Sequence, residues 1–312
     1  MSSPLRLGTR ASALATTQAG WVAARIADTL GREVELVEVT TRGDIDRASL
    51  AQLGGTGVFV SALRDALLEG RIDVAVHSLK DLPTGPAAGI ALAAVPLRED
   101  PRDVVVARDG LTLGELPVGS RLGTGSPRRA AQVRALGLGL EISDIRGNVD
   151  TRIRKVRDGE YDAVVLARAG LARLGRLDDA TEVLDPLQML PAPGQGALAV
   201  EARSDDGLAT ELAVLDDARS RAAVTAERAV LAGLEGGCAA PVGVLAEVVE
   251  GEDGEELWVR AVALSPDGEL TVRMSATGDP ADAYGVGNRL AGDMLAEGAA
   301  LLTDTPKKRQ DA

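Results

Sequence analysis

Residues 96–103, Pro96-Leu97-Arg98-Glu99-Asp100-Pro101-Arg102-Asp103, break an otherwise regular alternation of strand-like and helix-like patterns. Upstream, Leu5-Arg6-Leu7-Gly8 reads as a strand, Ser12 to Leu30 as a helix and Val34 to Val39 as a strand. Val58 to Leu68 is then helical, and Asp73 to His77 and Ile90 to Val95 are strands. This is βαβ grammar, which implies a mainly parallel, doubly wound sheet. After the break the grammar restarts, with strands at Val104–Ala107, near Leu122, at Glu141–Ile145 and at Ala163–Ala167. Helices are expected from Pro127 and over Val149–Arg157.

A second proline- and glycine-rich passage, Leu190 to Gly196, precedes a strand at Ala197–Glu201. Two crossings between two α/β units describe a hinged protein whose chain enters a second lobe and returns to the first. The spacing assigns residues 1–96 and 197–216 to one α/β lobe and 101–192 to a second, arginine-rich one. Residues 219–312 form a small α+β domain, with a helix over Ala222–Leu234 and strands at Val242–Val249, Leu257–Leu264 and Glu269–Ser275. A last helix runs near Ala281–Glu297, and the acidic tract Glu250–Glu256 reads as a solvated turn. The fold class is therefore α/β: two doubly wound lobes like those of periplasmic binding proteins, a double-crossover hinge and a C-terminal α+β domain.

The chain has 312 residues, 45% hydrophobic and 26% charged, and its apolar runs fall short of a membrane span. With one cysteine and no signal-like opening, it is expected to be cytoplasmic. A net charge of −13 argues against general nucleic-acid binding, and five scattered aromatic residues (Trp21, Phe59, Tyr161, Trp258, Tyr284) supply no stacking platform. The exception is local. Arg121 to Arg157 holds nine Lys/Arg against three acids, a concentration that suggests an anionic ligand, although Arg154, Lys155 and Arg157 also suit a solvated helix face.

Three strand-to-helix turns carry matching equipment: Gly8-Thr9-Arg10-Ala11-Ser12, Gly123 to Arg129, and Arg146-Gly147-Asn148-Val149-Asp150-Thr151-Arg152. Ser126 and Asn148 are placed as N-caps and Pro127 at a first helical position. Helix-start N–H groups, hydroxyls and guanidinium forks suit carboxylates or phosphates. No Walker or dinucleotide spacing occurs. Cys238, in Leu234-Glu235-Gly236-Gly237-Cys238, is either small buried packing or an employed sulfur with glycine-cleared space around it. With one histidine, His77, beside one cysteine, no metal site is expected. Asp81, in the run His77 to Pro83, either stabilises a cation or moves a proton, or else caps a helix or pairs with Lys80. Phe59, after the glycine-rich Gln52 to Gly57, either anchors a helix or belongs to a lid.

The strings TRGD (41–44), HSLKDLP (77–83), REDPRD (98–103), RGNVDTR (146–152), PGQGA (193–197) and LEGGC (234–238) together closely resemble the porphobilinogen deaminases, from about Leu5 to Leu302. The resemblance implies a transferase of porphyrin and haem biosynthesis, most simply a monomer. It would join four porphobilinogen molecules head to tail with loss of ammonia. It also implies a dipyrromethane cofactor joined through a thioether to Cys238, and hydrolytic release of hydroxymethylbilane. The implied catalytic residue is Asp81. Cofactor contacts fall on Lys80, Ser78, Thr124, Ser126, Arg128, Arg129, Arg146 and Gly147. Substrate contacts fall on Arg10, Ser12, Arg152, Arg173, Phe59 and Gln195. Departures are Gln52 and Thr56, where many relatives carry lysines, and Ala13 and Pro127. The rival readings are a non-enzymatic two-lobed anion-binding protein, and a Schiff-base lyase using Lys80.

Overall fold

Leu5–Thr9 (β1) turns Leu5 and Leu7 into the core and pairs in parallel with Val34–Glu38 (β2) and Val74–Ser78 (β3). Between β1 and β2 runs Ala13–Leu30 (α1), which Ser12 starts by accepting the Ala15 N–H and left-handed Gly31 stops. Gly57–Leu68 (α2) leads into β3, and Ile90–Ala94 (β4) completes the first pass. The second lobe contains Asp103–Ala107 (β5), Arg121–Gly123 (β6), Pro127–Ala135 (α3), Glu141–Ser143 (β7) and Val149–Arg157 (α4). Ala163–Ala167 (β8), Arg168–Arg173 (α5) and Glu182–Val183 (β9) follow, and Leu198–Arg203 (β10) returns to the first sheet. Leu208–Leu212 (α6), Ala218–Gly233 (α7), the strands Val242–Gly251 (β11), Gly254–Leu264 (β12) and Thr271–Gly278 (β13), and the helices Ala283–Ala296 (α8) and Ala299–Thr303 (α9) complete the chain. These elements belong to a computed structural model that describes residues 3–39, 57–205, 207–234, 240–252 and 254–303, with backbone alone at 57–59.

Both large sheets are mixed rather than mainly parallel. The first has the order β2-β1-β3-β10-β4 and the second β7-β6-β8-β5-β9. In each, four strands share one direction and a fifth, β10 or β5, runs against both its neighbours. Those two strands are the ones that follow the crossovers. No helix of their own sheet leads into them, so the βαβ rule that imposes parallel entry does not act. Apolar runs carry no direction, which is why the sequence does not reveal the reversal. The short β9, α5 and α6 lie outside the sequence reading as well. The acidic tract is mostly ladder: Glu250 faces Glu255 and Gly251 faces Gly254, so the turn is two residues long.

The chain divides into two compact units, Met1–Asp100 with Gly194–Arg221, and Pro101–Pro193 with Ala222–Ala312. In the first, α1 and α6 cover one face of the sheet (Leu7, Val22, Ile26, Val200, Leu212), and α2 covers the other (Leu63, Leu67, Ile72, Ala75). In the second, β5 is buried on both faces, with Val105 toward α3 and Val104 and Val106 toward α4 and α5. The three-stranded sheet β11-β12-β13 packs one face on α7 and α8. Leu245, Val262 and Leu264 of its other face pack on Ala131 of α3 and on Leu190. Among the described residues no helix is long and apolar enough to cross a membrane.

His77, at the end of β3, faces the return strand. Its Nε2 lies 3.3 Å from Glu201 Oε2, an ion-pair contact rather than an aligned hydrogen bond. Glu201 is also gripped by both arms of Arg64 on α2, at 3.0 and 2.6 Å. Burial pushes the Glu201 carboxyl up, but His77 and Arg64 together hold its pKa down at about 2, against an ordinary 4.5. A carboxyl depressed in this way stabilises the fold fully above pH 4.5 and loses that contribution as the pH falls toward 2, by about 3 kcal/mol. Glu201→Gln is expected to cost about 3–5 kcal/mol at neutral pH in urea unfolding, because it strands the largely buried Arg64 guanidinium. The variant and wild-type stabilities should converge on acidification; a gap that persists at low pH would exclude this carboxylate as the cause.

Candidate functional site

In the first sheet β1 and β3 point their C-terminal ends to the same edge, and Leu198 at the start of β10 pairs with Ser78 there. Arg10 and Ser12 leave β1 at this edge, and Ser78, Lys80 and Asp81 leave β3. Ser78 Oγ is tied to buried Gln18 of α1, 3.0 Å from its Nε2. The turn Leu79–Asp81 closes with Leu82 N–H on Leu79 O, and Leu79 is fully buried beneath it. Asp81 is partly exposed and makes neither a helix-cap bond nor an ion pair with Lys80, so among the described residues its carboxylate is uncommitted. Lys80 Nζ instead reaches Gln195 Oε1 at 3.4 Å.

Gln195 is placed by its glycines. Gly194 and Gly196 have φ of +75° and +87°, and Ala197 N–H closes the turn on Gly194 O. A Cβ at Gly194 would sit 3.3 Å from the Lys80 nitrogen. The turn buries Gln195 to 1% exposure and presents its carbonyl to Arg98 Nε at 2.8 Å. The geometry makes Gln195 a support for Lys80 from within the protein.

The second sheet repeats the plan. Ends of β6, β7 and β8 share an edge with the start of β5, where Asp103 pairs with Ala167. Thr124 and Ser126 leave β6: Ser126 N–H donates to Thr124 Oγ1, and Ser126 Oγ accepts the Arg129 N–H as N-cap of α3. Each hydroxyl keeps its own proton to donate. Arg146 and Gly147 leave β7, exposed, with Arg146 on Asp144 at 2.8 Å. Gly147 has φ +112°, and its carbonyl accepts from Arg152 Nε at 2.9 Å, one turn into α4. Arg173 is the last residue of α5, after β8.

Arg128 and Arg129 are buried, at 4% and 6% exposure, and both are held by Asp103, which is fully buried. Their Nη2 atoms lie 2.8 and 2.7 Å from its two oxygens. Arg129 also donates to Val165 O and Arg128 to Leu190 O. Asp103 was not singled out in the sequence, since the arginines that it holds lie far along the chain. Arg152 shows what the cluster feels. Burial, then the charges of Arg129 and Arg146, push its pKa below the usual arginine range, so three guanidiniums crowd one region with Asp144 only partly opposing them. Such a region is an anion site in electrostatic terms.

Residues 5–211 match the family model "Porphobilinogen deaminase, dipyromethane cofactor binding domain", and residues 221–296 match "Porphobilinogen deaminase, C-terminal domain". The chain belongs to the porphobilinogen deaminase family. A porphobilinogen deaminase of Mycobacterium avium is 59% identical over 305 residues, covering 96% of each chain. One from Nocardia farcinica is 58% identical over 307 residues, 96% of this chain and 88% of its own. Among solved structures, a periplasmic substrate-binding protein from Coxiella burnetii overlaps 68% of the chain and 91% of its own at 14% identity and a TM-score of 0.43. An overlap that loose bears on neither fold nor function. Membership in the porphobilinogen deaminases does not favour the reading as a non-enzymatic anion binder.

A group bearing several carboxylates fits what the porphobilinogen deaminase fold presents here. Among the described residues Arg128 Nε is a buried donor with no partner, and Arg152 is crowded by like charges. Cys238, Gln52 and Thr56, and the side chain of Phe59, lie outside the described residues. Asp103→Asn, which leaves two buried guanidiniums opposed by one neutral amide, is expected to cost about 3–5 kcal/mol of stability in urea unfolding. Asp144→Asn, at the exposed partner of Arg146, should change it by less than about 1 kcal/mol. Equal effects at the two positions would contradict this division between buried counter-ion and surface pair.

Proposed function

We propose that the chain is a hydroxymethylbilane synthase, a transferase that condenses four porphobilinogen molecules head to tail, with loss of ammonia, and releases hydroxymethylbilane by hydrolysis. What carries the reading is family membership: relatives named porphobilinogen deaminase are 58–59% identical across 96% of the chain. The proposal includes a dipyrromethane held by a thioether to Cys238. When bound, it supplies the nucleophilic pyrrole carbon and tethers the product as it lengthens.

The chain's own residues then divide the work. Each porphobilinogen brings an acetate and a propionate, so negative charge accumulates with every condensation. Arg128, Arg129, Arg146, Thr124, Ser126 and the Gly147 backbone are assigned to the carboxylates of the cofactor, with Ser78 and Lys80. Arg10, Ser12, Arg152, Arg173 and Phe59 are assigned to the substrate, and Gln195 serves the same site through Lys80. The crowded guanidiniums support this, since like charges held together before any ligand arrives favour an anion without further reorganisation. Asp81 is assigned the catalytic role. Its uncommitted carboxylate is suited to accept pyrrole N–H groups, to stabilise positive charge as ammonia departs, and to carry a proton. A thiol that must stay reduced until it is alkylated suits the cytoplasm, and a monomer suffices for these assignments.

Intact-mass measurement of active protein is expected to show a dipyrromethane adduct that is absent from Cys238→Ala; active protein of unmodified mass would reject the tether. Asp81→Asn is expected to bind porphobilinogen with KM little changed and to turn over on the order of 10²–10⁴-fold more slowly. Near-normal turnover in a stopped assay would remove Asp81 from the chemistry.

A further inference from the structure

We propose that Gln132 is a positioning residue for the Arg128 guanidinium and acts through the Leu190 peptide, resting for its functional meaning on the cofactor role assigned to Arg128. Gln132 lies one turn after Arg128 on α3 and is 2% exposed. Its amide is spent mainly on one backbone residue, with a longer 3.5 Å donation from Nε2 to Arg128 O. The Leu190 N–H donates to Oε1 at 2.8 Å, and Nε2 donates to Leu190 O at 3.0 Å. The same oxygen accepts from Arg128 Nη1. Arg128 is thus oriented by two anchors, Asp103 on one side and the Leu190 carbonyl on the other, while its Nε finds no partner.

The Leu190 peptide also meets the C-terminal sheet. Val244 N–H donates to Pro191 O at 2.9 Å, and a Cβ on Gly243 would lie 2.8 Å from Leu190 O, closer than any side chain tolerates. Strand β11 therefore presses its glycine backbone against the oxygen that Arg128 and Gln132 share. That strand starts four residues after Cys238. One saturated peptide links the arginine at the start of α3 to β11, and Gln132 keeps that peptide from rotating. Loss of the amide leaves a buried Leu190 N–H unpaired and lets the carbonyl, and Arg128 with it, move.

Gln132→Met keeps length and apolar volume but removes both bonds. In protein labelled with ¹⁵N-arginine, the slowly exchanging Nε–H signal that disappears in Arg128→Lys is the Arg128 signal. In Gln132→Met its hydrogen exchange is expected to accelerate at least about tenfold; an unchanged rate would overturn the proposal. Kinetics supply the second readout. Gln132→Met should lower kcat by on the order of 10-fold with KM little changed. Gln132→Met combined with Arg128→Lys should be no slower than Arg128→Lys alone. Multiplying effects would show that Gln132 does not act through Arg128. Should Gln132→Met fail to fold, Gln132→Glu, which keeps an acceptor for the Leu190 N–H, is carried through the same exchange measurement and cycle with a milder expected effect. A wild-type protein that consumes no porphobilinogen would defeat the functional reading, while the exchange rates still decide the positioning role.

Discussion

The carboxylate of Asp103 sits fully buried between two guanidiniums that are nearly as buried as it is. Removing three charges from water is costly, and replacing such a group by well-packed apolar residues often costs nothing in stability. What the arrangement provides is a fixed place for cationic groups whose positions would otherwise be set by flexible side chains. Asp103 opens β5, at the edge where β6, β7 and β8 end. The antiparallel insertion of β5 brings the start of that strand, rather than its end, to the edge where those three strands end. The reversal is what allows a residue of the crossover to act as counter-ion to residues of α3.

The first unit solves a similar problem with different parts. Its inserted strand, β10, carries Glu201, which collects Arg64 from α2 and His77 from β3 and fastens the helix to the sheet. The turn ahead of β10 holds Gln195 under Lys80. In both units the strand that follows a crossover supplies an anchor, and the turns from the parallel strands supply the groups proposed to face a ligand. Asp81 stands apart because no anchor holds it. A carboxylate left without partners at a sheet edge is a poor stabiliser and a suitable acceptor.

Much of this was legible in the sequence, and the limits have physical causes. The strands and helices of the βαβ grammar were readable because each buries an apolar pattern of its own period, and Ser126 and Asn148 announce their helices as caps. The two crossovers were readable as proline and glycine passages. Strand direction was not, because Val104 to Ala107 and Leu198 to Ala202, in which Glu201 is the one charged residue, are buried alike whichever way they run. Arginines beside helix starts were the local signal behind the residues proposed to face an anion. Their supports were missed for a different reason: Asp103, Gln132, Gln18 and Arg98 act on groups 26 to 97 residues away in the chain, and no local spacing encodes that. Gln195 illustrates both cases, since its flanking glycines mark a special turn but not which way the side chain goes.

Charge segregation completes the account of how an acidic chain accommodates an anion. The net charge of −13 keeps the molecule soluble and repels anions at a distance. At physiological ionic strength, however, exposed charges are screened beyond about 8 Å. At the second edge Arg129, Arg146 and Arg152 lie together, and burial, then the charges of Arg129 and Arg146, depress the Arg152 pKa. The distant acids are largely screened out, while the nearby, partly buried cations are screened much less. Like charges held together store unfavourable energy that an arriving carboxylate relieves, and each relieved contact is stronger for being partly withdrawn from water. The same reasoning explains why Asp144 faces Arg146 at the surface whereas Asp103 lies beneath the cluster. A buried counter-ion fixes the cations without competing for the ligand, and an exposed one exchanges readily with it.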